Sequence, residues 1–325
     1  MMRTGYLPVQ RGAKRGVQRG VLAGVAVSIA LTIAACGSSS SSSGGGSSNP
    51  LAPTASKGTV VIGSANFPEN ELLAEIYSLA LQGAGVKVTD KFNIGAREVY
   101  YPEVEKGAIT VIPEYNGALL TTSVDTKSTA ATTAAVNAAL TSKLPAALEI
   151  LNSSSAQDKD SVTVTQSFAK AHHLTSIAQL TTLAKTMVIG AAPEFKTRAD
   201  GLVGLRTNYG LTFKSFSPLD ESGPITLAAL KDNKVQAADV FTTTPQIITD
   251  NLVALADPKF NFAAQNVTPL VYKKGANSTV VNTLNEISAK LTTAGLLAMD
   301  KAVILDHAQY NAVAAGWLKA VGIKS

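Results

Sequence analysis

From Lys57 onward, short β-branched runs alternate with stretches whose apolar positions recur at helical spacing. Thr59-Val60-Val61-Ile62-Gly63 reads as a buried strand. Pro68-Glu69-Asn70-Glu71 opens a helix, with proline early and two acids in the first turn to complement the helix dipole. Leu72, Leu73, Ile76, Leu79 and Ala80 then repeat on one face, and Gly83 or Gly85 closes the helix. Val86–Ile94 and Ile109–Ile112 read as strands on either side of a short helix over Glu98–Lys106. A helix over Thr129–Leu144 stops at Pro145. The middle third repeats the scheme, with strands at Met187–Ala191, Phe213–Ser217 and Ala237–Phe241 and helices over Ala199–Tyr209 and Thr226–Lys231. A strand at Val267–Tyr272 precedes three helices, over Val280–Leu291, Gly295–Leu305 and Ala308–Ala320. This alternation predicts an α/β fold with largely parallel sheet in two halves. The runs Val162–Thr165 and Val267–Val271 are the expected crossings between two lobes.

The segment before this body has a different character. Arg3, Arg11, Lys14, Arg15 and Arg19 precede a weakly polar to apolar stretch from Val21 to Ala35, with no acid before position 36. A basic region, an apolar region of about 7–15 residues and small residues at the end form a secretory signature. The stretch is shorter than the roughly 20 residues needed to span a bilayer. Ile33-Ala34-Ala35-Cys36 resembles the bacterial lipobox, which implies that Cys36 is lipidated and becomes the mature N-terminus. Gly37 and the serine and glycine run 38–48 cannot bury enough apolar surface to offset ordering, so a flexible tether is expected. The expected divisions are a signal peptide over 1–35 and an anchored tether over 36–56. Residues 57–163 with 266–325 form one lobe, and 164–265 the other.

Charge and cysteine content narrow the function. The formal charge is +5, but five of the 28 basic residues precede Cys36, and the rest balance the 23 acids. Nothing here resembles the clustered Lys and Arg that nucleic acid requires, so no such partner is expected. The chain has no Gly-x-Ser-x-Gly elbow, no His-Glu-x-x-His and no phosphate-binding Gly-x-x-x-x-Gly-Lys. Its histidines are His172, His173 and His307, and its one cysteine is Cys36. Neither an enzyme nor a metal or cofactor site is expected. An anchored enzyme on the same fold, and an anchored sensor, are the alternatives.

Three segments lie where a strand gives way to a helix, the place where open α/β sheets bind ligands. They are Gly63-Ser64-Ala65-Asn66-Phe67-Pro68-Glu69, Pro113-Glu114-Tyr115-Asn116-Gly117, and Phe195-Lys196-Thr197-Arg198-Ala199-Asp200-Gly201-Leu202-Val203-Gly204-Leu205. With Asp239-Val240-Phe241-Thr242-Thr243 and Asn266-Val267-Thr268-Pro269-Leu270-Val271, in this order, they resemble the glycine betaine/carnitine/choline-binding family of ABC importer substrate-binding lipoproteins. The resemblance runs from about Gly58 to the C-terminus.

It implies a two-lobed, periplasmic-binding-protein-like (type II) fold with a hinge of two crossing segments and a ligand cleft between the lobes. It also implies a monomer that captures an osmoprotectant-type solute outside the membrane and delivers it to a permease with ATPase subunits. In the family, tyrosines cage a quaternary ammonium and an arginine, here Arg198 with Glu194 one turn before it, pairs with the ligand carboxylate. The implied ligand-binding positions are Ser64, Asn66, Phe67, Arg97, Ile112, Glu194, Arg198, Phe241, Thr242 and Gln265. The cage departs from the family pattern. Thr110 and Ile112 stand where an aspartate and a tyrosine are common, Phe241 replaces a tyrosine, and Gln265 lies near another lost ring. An apolar Ile112 beside Phe67 and Phe241 leads to the expectation of a flatter, less charged solute than a simple betaine.

Overall fold

The computed structural model describes residues 58–325. The expected signal segment, Cys36 and the serine and glycine tether lie outside the described residues. The chain first lays down β1 (Val60–Gly63), α1 (Pro68–Gly83), β2 (Val88–Lys91), α2 (Arg97–Glu105), β3 (Val111–Tyr115), α3 (Asn116–Leu119), α4 (Thr133–Lys143) and β4 (Leu148–Ile150). It then crosses and forms β5 (Val162–Thr165), α5 (Gln166–Ala171), β6 (Val188–Ala191), α6 (Leu202–Tyr209), β7 (Ser215–Pro218), α7 (Pro224–Lys231), β8 (Ala237–Asp239), α8 (Gln246–Thr249) and β9 (Leu252–Ala254). It returns with β10 (Val267–Tyr272), α9 (Ser278–Lys290), α10 (Thr293–Asp300) and α11 (Tyr310–Ala320).

Two five-stranded sheets result, in the orders β2-β1-β3-β10-β4 and β7-β6-β8-β5-β9. They share one plan. Three strands run parallel, and the fourth and fifth pair antiparallel. The fourth strand in each sheet is the one that has just arrived from the other lobe. A parallel partner needs a crossover helix, and these arriving strands have none, so they enter antiparallel. The expectation of largely parallel sheet therefore holds for three strands in each lobe.

Val162–Thr165, expected as a crossing, pairs with β8 and β9 and belongs wholly to the second sheet. The passage between lobes comes earlier. The two crossing segments are tied to each other: the Asp158 amide donates to the Gln265 carbonyl at 3.1 Å and the Val267 amide to the Ala156 carbonyl at 3.0 Å.

The central strand β1 is buried along all four residues, as expected of parallel sheet covered on both faces. Its cover includes Leu72, Leu73, Ile76 and Leu81 of α1 and Ala314 and Leu318 of α11, in one continuous core. The second lobe has two clusters, one around Ile189, Phe195 and Phe262, the other around Leu227, Leu230 and Val240. No described helix is long and apolar enough to cross a membrane.

Packing explains a motif glycine. A Cβ on Gly117 would stand 2.4 Å from the Ala264 carbonyl oxygen, where the returning chain passes close to α3. Gly117→Ala is therefore expected to lower the urea unfolding free energy by about 1–3 kcal/mol, the usual cost of overpacking. An unchanged unfolding curve would show that the close approach is not required.

Candidate functional site

The carboxyl ends of the parallel strands from both sheets meet at a cleft. Phe67 follows β1, Tyr115 ends β3, Arg198 follows β6, Glu221 follows β7 and Phe241 follows β8. Asp158, Asp160 and Gln265 come from the crossing segments, and Arg97 and Ala118 complete the wall.

Three rings form a row. Phe67 is central, 5.9 Å from Tyr115 and 5.1 Å from Phe241 between ring centres, the second pair edge-on. The Tyr115 hydroxyl donates to Glu69 at 2.6 Å, which fixes that ring. Ring faces of this kind attract a cation by roughly 0.5–2 kcal/mol each.

Both arginines of the cleft are already paired. Arg97 opens α2 and meets Glu114 of β3 in a fork, Nε to Oε1 at 3.0 Å and Nη2 to Oε2 at 2.9 Å. Glu114 is fully buried, and it also accepts from the Tyr100 hydroxyl and the Tyr115 amide. Arg198, in the second lobe, reaches Glu98 of α2 in the first, with Nε and Nη2 each 3.0 Å from a carboxylate oxygen. Glu194 and Glu221 stand 3.9 and 4.0 Å from the same guanidinium. Charge-assisted forks of this type are among the stronger hydrogen bonds.

Two further contacts join the lobes. Thr243 donates to Glu69 at 2.6 Å, and Thr121 donates to Asp200 at 2.7 Å. Thr121 lies where α3 continues to Val124 as a wider turn, a distortion common at functional sites. The hinge is stapled by Gln265. Its Oε1 accepts from the Asp160 amide at 2.7 Å, and its Nε2 donates to the Asp160 carboxylate at 2.6 Å.

The remaining carboxyls give the cleft an acidic bias. Burial, and then the charge of Glu69, raise Asp158 well above the usual carboxylate range. Burial pushes Glu221 up to about 7, although Arg198 draws it down. Burial raises Asp300 to about 7, and Asp200, with Asp160 nearby, to about 6. Glu69 is raised by burial and then by Asp300.

The structure brings Phe67, Arg97, Arg198, Phe241 and Gln265 to the cleft wall. Glu194 stands behind Arg198. Ser64 is fully buried, donates to the Ala65 carbonyl and accepts from the Asn93 amide, so it shapes the turn after β1. Asn66 is exposed at that turn. Thr242 is occupied with the Lys159 amide and Asp158. Ile112 has no surface in the cleft: it is fully buried and pairs with Leu270 in the first sheet. Thr110, two residues earlier, accepts from the Val61 amide. The weakly charged cleft expected from Ile112 is therefore not what the chain builds, because that side chain faces the core while Asp158, Asp160 and Glu221 face the cleft. Arg198 lies in the loop before α6 and is matched by Glu98.

Sequence reasoning missed Glu98, Asp158, Asp160 and Glu221. A signal existed for Glu221, since it follows the strand expected at Phe213–Ser217. The two aspartates lie in the crossing before β5, and only the true position of that crossing shows their place.

Residues 58–320 match the family described as the substrate binding domain of the ABC-type glycine betaine transport system. A solved glycine betaine/carnitine/choline ABC transporter protein is similar at 20% identity over 81% of this chain and 99% of that one, with a TM-score of 0.62. A choline-binding protein of an ABC transporter, in complex with choline, matches at 13% identity over 81% and 88%, with a TM-score of 0.60. Lactococcal OpuAC, closed on glycine betaine, matches at 16% identity over 81% and 95%, with a TM-score of 0.58. At these identities the likeness establishes the two-lobed fold.

The raised acids make stability depend on pH in a defined direction. A carboxyl whose native pKa lies above its unfolded value of about 4 favours the native state fully below that value and loses this as pH rises through the native pKa. For Glu221, Asp300 and Asp200 the window ends at about 6 to 7. Glu98, held low by Arg198 despite burial, is ionised throughout that window and does not mask it. The urea midpoint of the solute-free protein is expected to fall between pH 5 and pH 8, and Asp300→Asn to reduce the fall. A midpoint that rises over this range would contradict the assignment.

Proposed function

Because the chain belongs to the family of substrate-binding domains of ABC-type glycine betaine transport systems, we propose that its solute is an organic cation without a carboxylate. The family makes it a solute-binding protein of a transporter. On this reading a quaternary or primary ammonium head rests against Phe67, Tyr115 and Phe241, with Asp160 beside it and with Asp158 and Glu221, which burial raises, drawn toward their charged forms by the bound cation. One observation carries the choice. Arg198, which would hold the carboxylate of a betaine, is already engaged by Glu98 through both Nε and Nη2. A second carboxylate brought there would add negative charge beside Glu194 and Glu221 without an unpaired cation to meet it.

Glu98 in effect stands in for the ligand carboxylate, and the fork it makes also holds the two lobes together. The solute is captured as the lobes close, released unchanged to a permease, and not processed. A ligand shifts closure only by its differential affinity for the two states. Rings and carboxylates contributed by both lobes supply that difference, since they converge on the solute only when the lobes are together. Anchoring to the extracytoplasmic face through lipidated Cys36 belongs to the same reading, supported by the basic and apolar segment ahead of Ile33-Ala34-Ala35-Cys36.

Titration calorimetry should find choline bound more tightly than glycine betaine by about tenfold or more, the scale of one charged hydrogen-bonding partner. Glu98→Gln should narrow or invert that ratio by freeing Arg198. Tighter glycine betaine binding by the unaltered protein would overturn the reading. For the anchor, metabolic labelling with a fatty acid should tag the full chain and fail on Cys36→Ser; equal labelling of both would remove Cys36 from this role.

A further inference from the structure

A second cavity adjoins the cleft, and Phe67, Phe241 and Glu221 line both. Both lobes build it. Asp300 and Ile304 come from the first, and Leu227 and Gln246 from the second. Two oxygens here, Glu221 Oε2 and Gln246 Oε1, have no hydrogen-bond partner among the described residues, and the Asp300 carboxylate has beside it only the Glu69 carboxyl and the Thr243 hydroxyl, which already donates to Glu69. Asp300 closes α10 and is only 1% exposed.

Buried polar groups are ordinarily partnered, so such oxygens call for an explanation. Glu69 does not provide it. Its own oxygens accept from Tyr115 and Thr243, and its carboxyl, raised by burial, has at most one hydrogen to share with Asp300. One proton shared between these two carboxyls satisfies one oxygen and leaves Glu221 and Gln246 as they are. Leu227 and Ile304 meanwhile offer surface suited to methylene groups.

We propose that this cavity receives the far end of an elongated solute, and that the solute is a linear diamine. One ammonium sits among the rings of the cleft, the methylene chain passes Phe67 and Phe241, and the second ammonium donates to Asp300, Glu221 and Gln246. The proposal rests on the cation reading of the cleft and deepens it. It matches donors to acceptors at the far end: an ammonium has three hydrogens to give and no acceptor of its own, and the groups left underpartnered there, in Asp300, Glu221 and Gln246, are oxygens. Burial raises Asp300 and Glu221 to about 7, so a bound second cation draws both down and releases protons.

The test compares putrescine with butylamine, which shares its head and chain length but lacks the second amine. In calorimetry on the unaltered protein, putrescine should bind more tightly by about tenfold or more. In Asp300→Asn the ratio of the two affinities should fall to within about twofold, and in Gln246→Leu it should also narrow. Using the ratio cancels any effect of either variant on the head site. Circular dichroism identifies a variant that fails to fold, in which case the other decides. A ratio near one in the unaltered protein, or a ratio unchanged in the folded variants, overturns the proposal. If choline binds while the ratio is one, only the second cavity is misread. If choline, butylamine and putrescine all fail to bind, the cation reading of the cleft falls, and this proposal with it.

Discussion

Arg198 and Glu98 face each other across the cleft from different lobes, and their fork settles two matters at once. It contributes to closure, and it uses the positive charge that a betaine carboxylate would need. With Arg97 held by Glu114 on the first-lobe side, both guanidinium groups of the cleft are matched from within the chain. What remains for a solute is a row of rings and a surplus of carboxyls. The chemistry of the cleft follows from which charges the protein has already neutralised, more than from which it displays.

Closure in this geometry does not depend on a solute alone. Thr243 with Glu69 and Thr121 with Asp200 add to the Arg198 fork. Single hydrogen bonds contribute a net of about 0.5–1.5 kcal/mol each, and those to charged groups about 1.5–3, so a handful of them biases the two states toward the closed one. A solute then needs only a moderate differential affinity to shift the population. Gln265 ties the same process to the hinge. It grips Asp160 through both amide and carboxylate, so a solute that meets Asp160 touches the segment that joins the two lobes.

The buried acids belong to the same economy of charge. Glu69, Asp158, Asp300 and Glu221 are crowded within a few residues of the cleft and its neighbouring cavity, and burial raises all of them. A protein selected only for stability would gain little from such a cluster, because desolvated carboxyls cost free energy unless they are partnered. On the proposed reading, a cationic solute is that partner.

Much of the fold was legible along the chain. Val60–Gly63, Met187–Ala191 and Ala237–Phe241 carry the β-branched or small apolar runs of covered strands. The helix from Pro68 has its proline, acids and apolar stripe in the expected places. These signals are local, and spacing along the backbone suffices to read them. The five motif segments likewise identified the strand ends where the cleft lies. Short elements such as Leu148–Ile150 and Leu252–Ala254 escaped, since three residues carry too little pattern and owe their place to a neighbouring strand. The sequence by itself determined the α/β class, the two-lobed plan and the set of loops that meet. Only tertiary structure decided that Ile112 faces the core, that Val162 begins a strand of the second sheet, and that Glu98 meets Arg198 across 100 residues of chain. The reason is physical: a side chain's charge partner and its exposure depend on what other segments bring beside it, and no periodicity encodes a neighbour that distant.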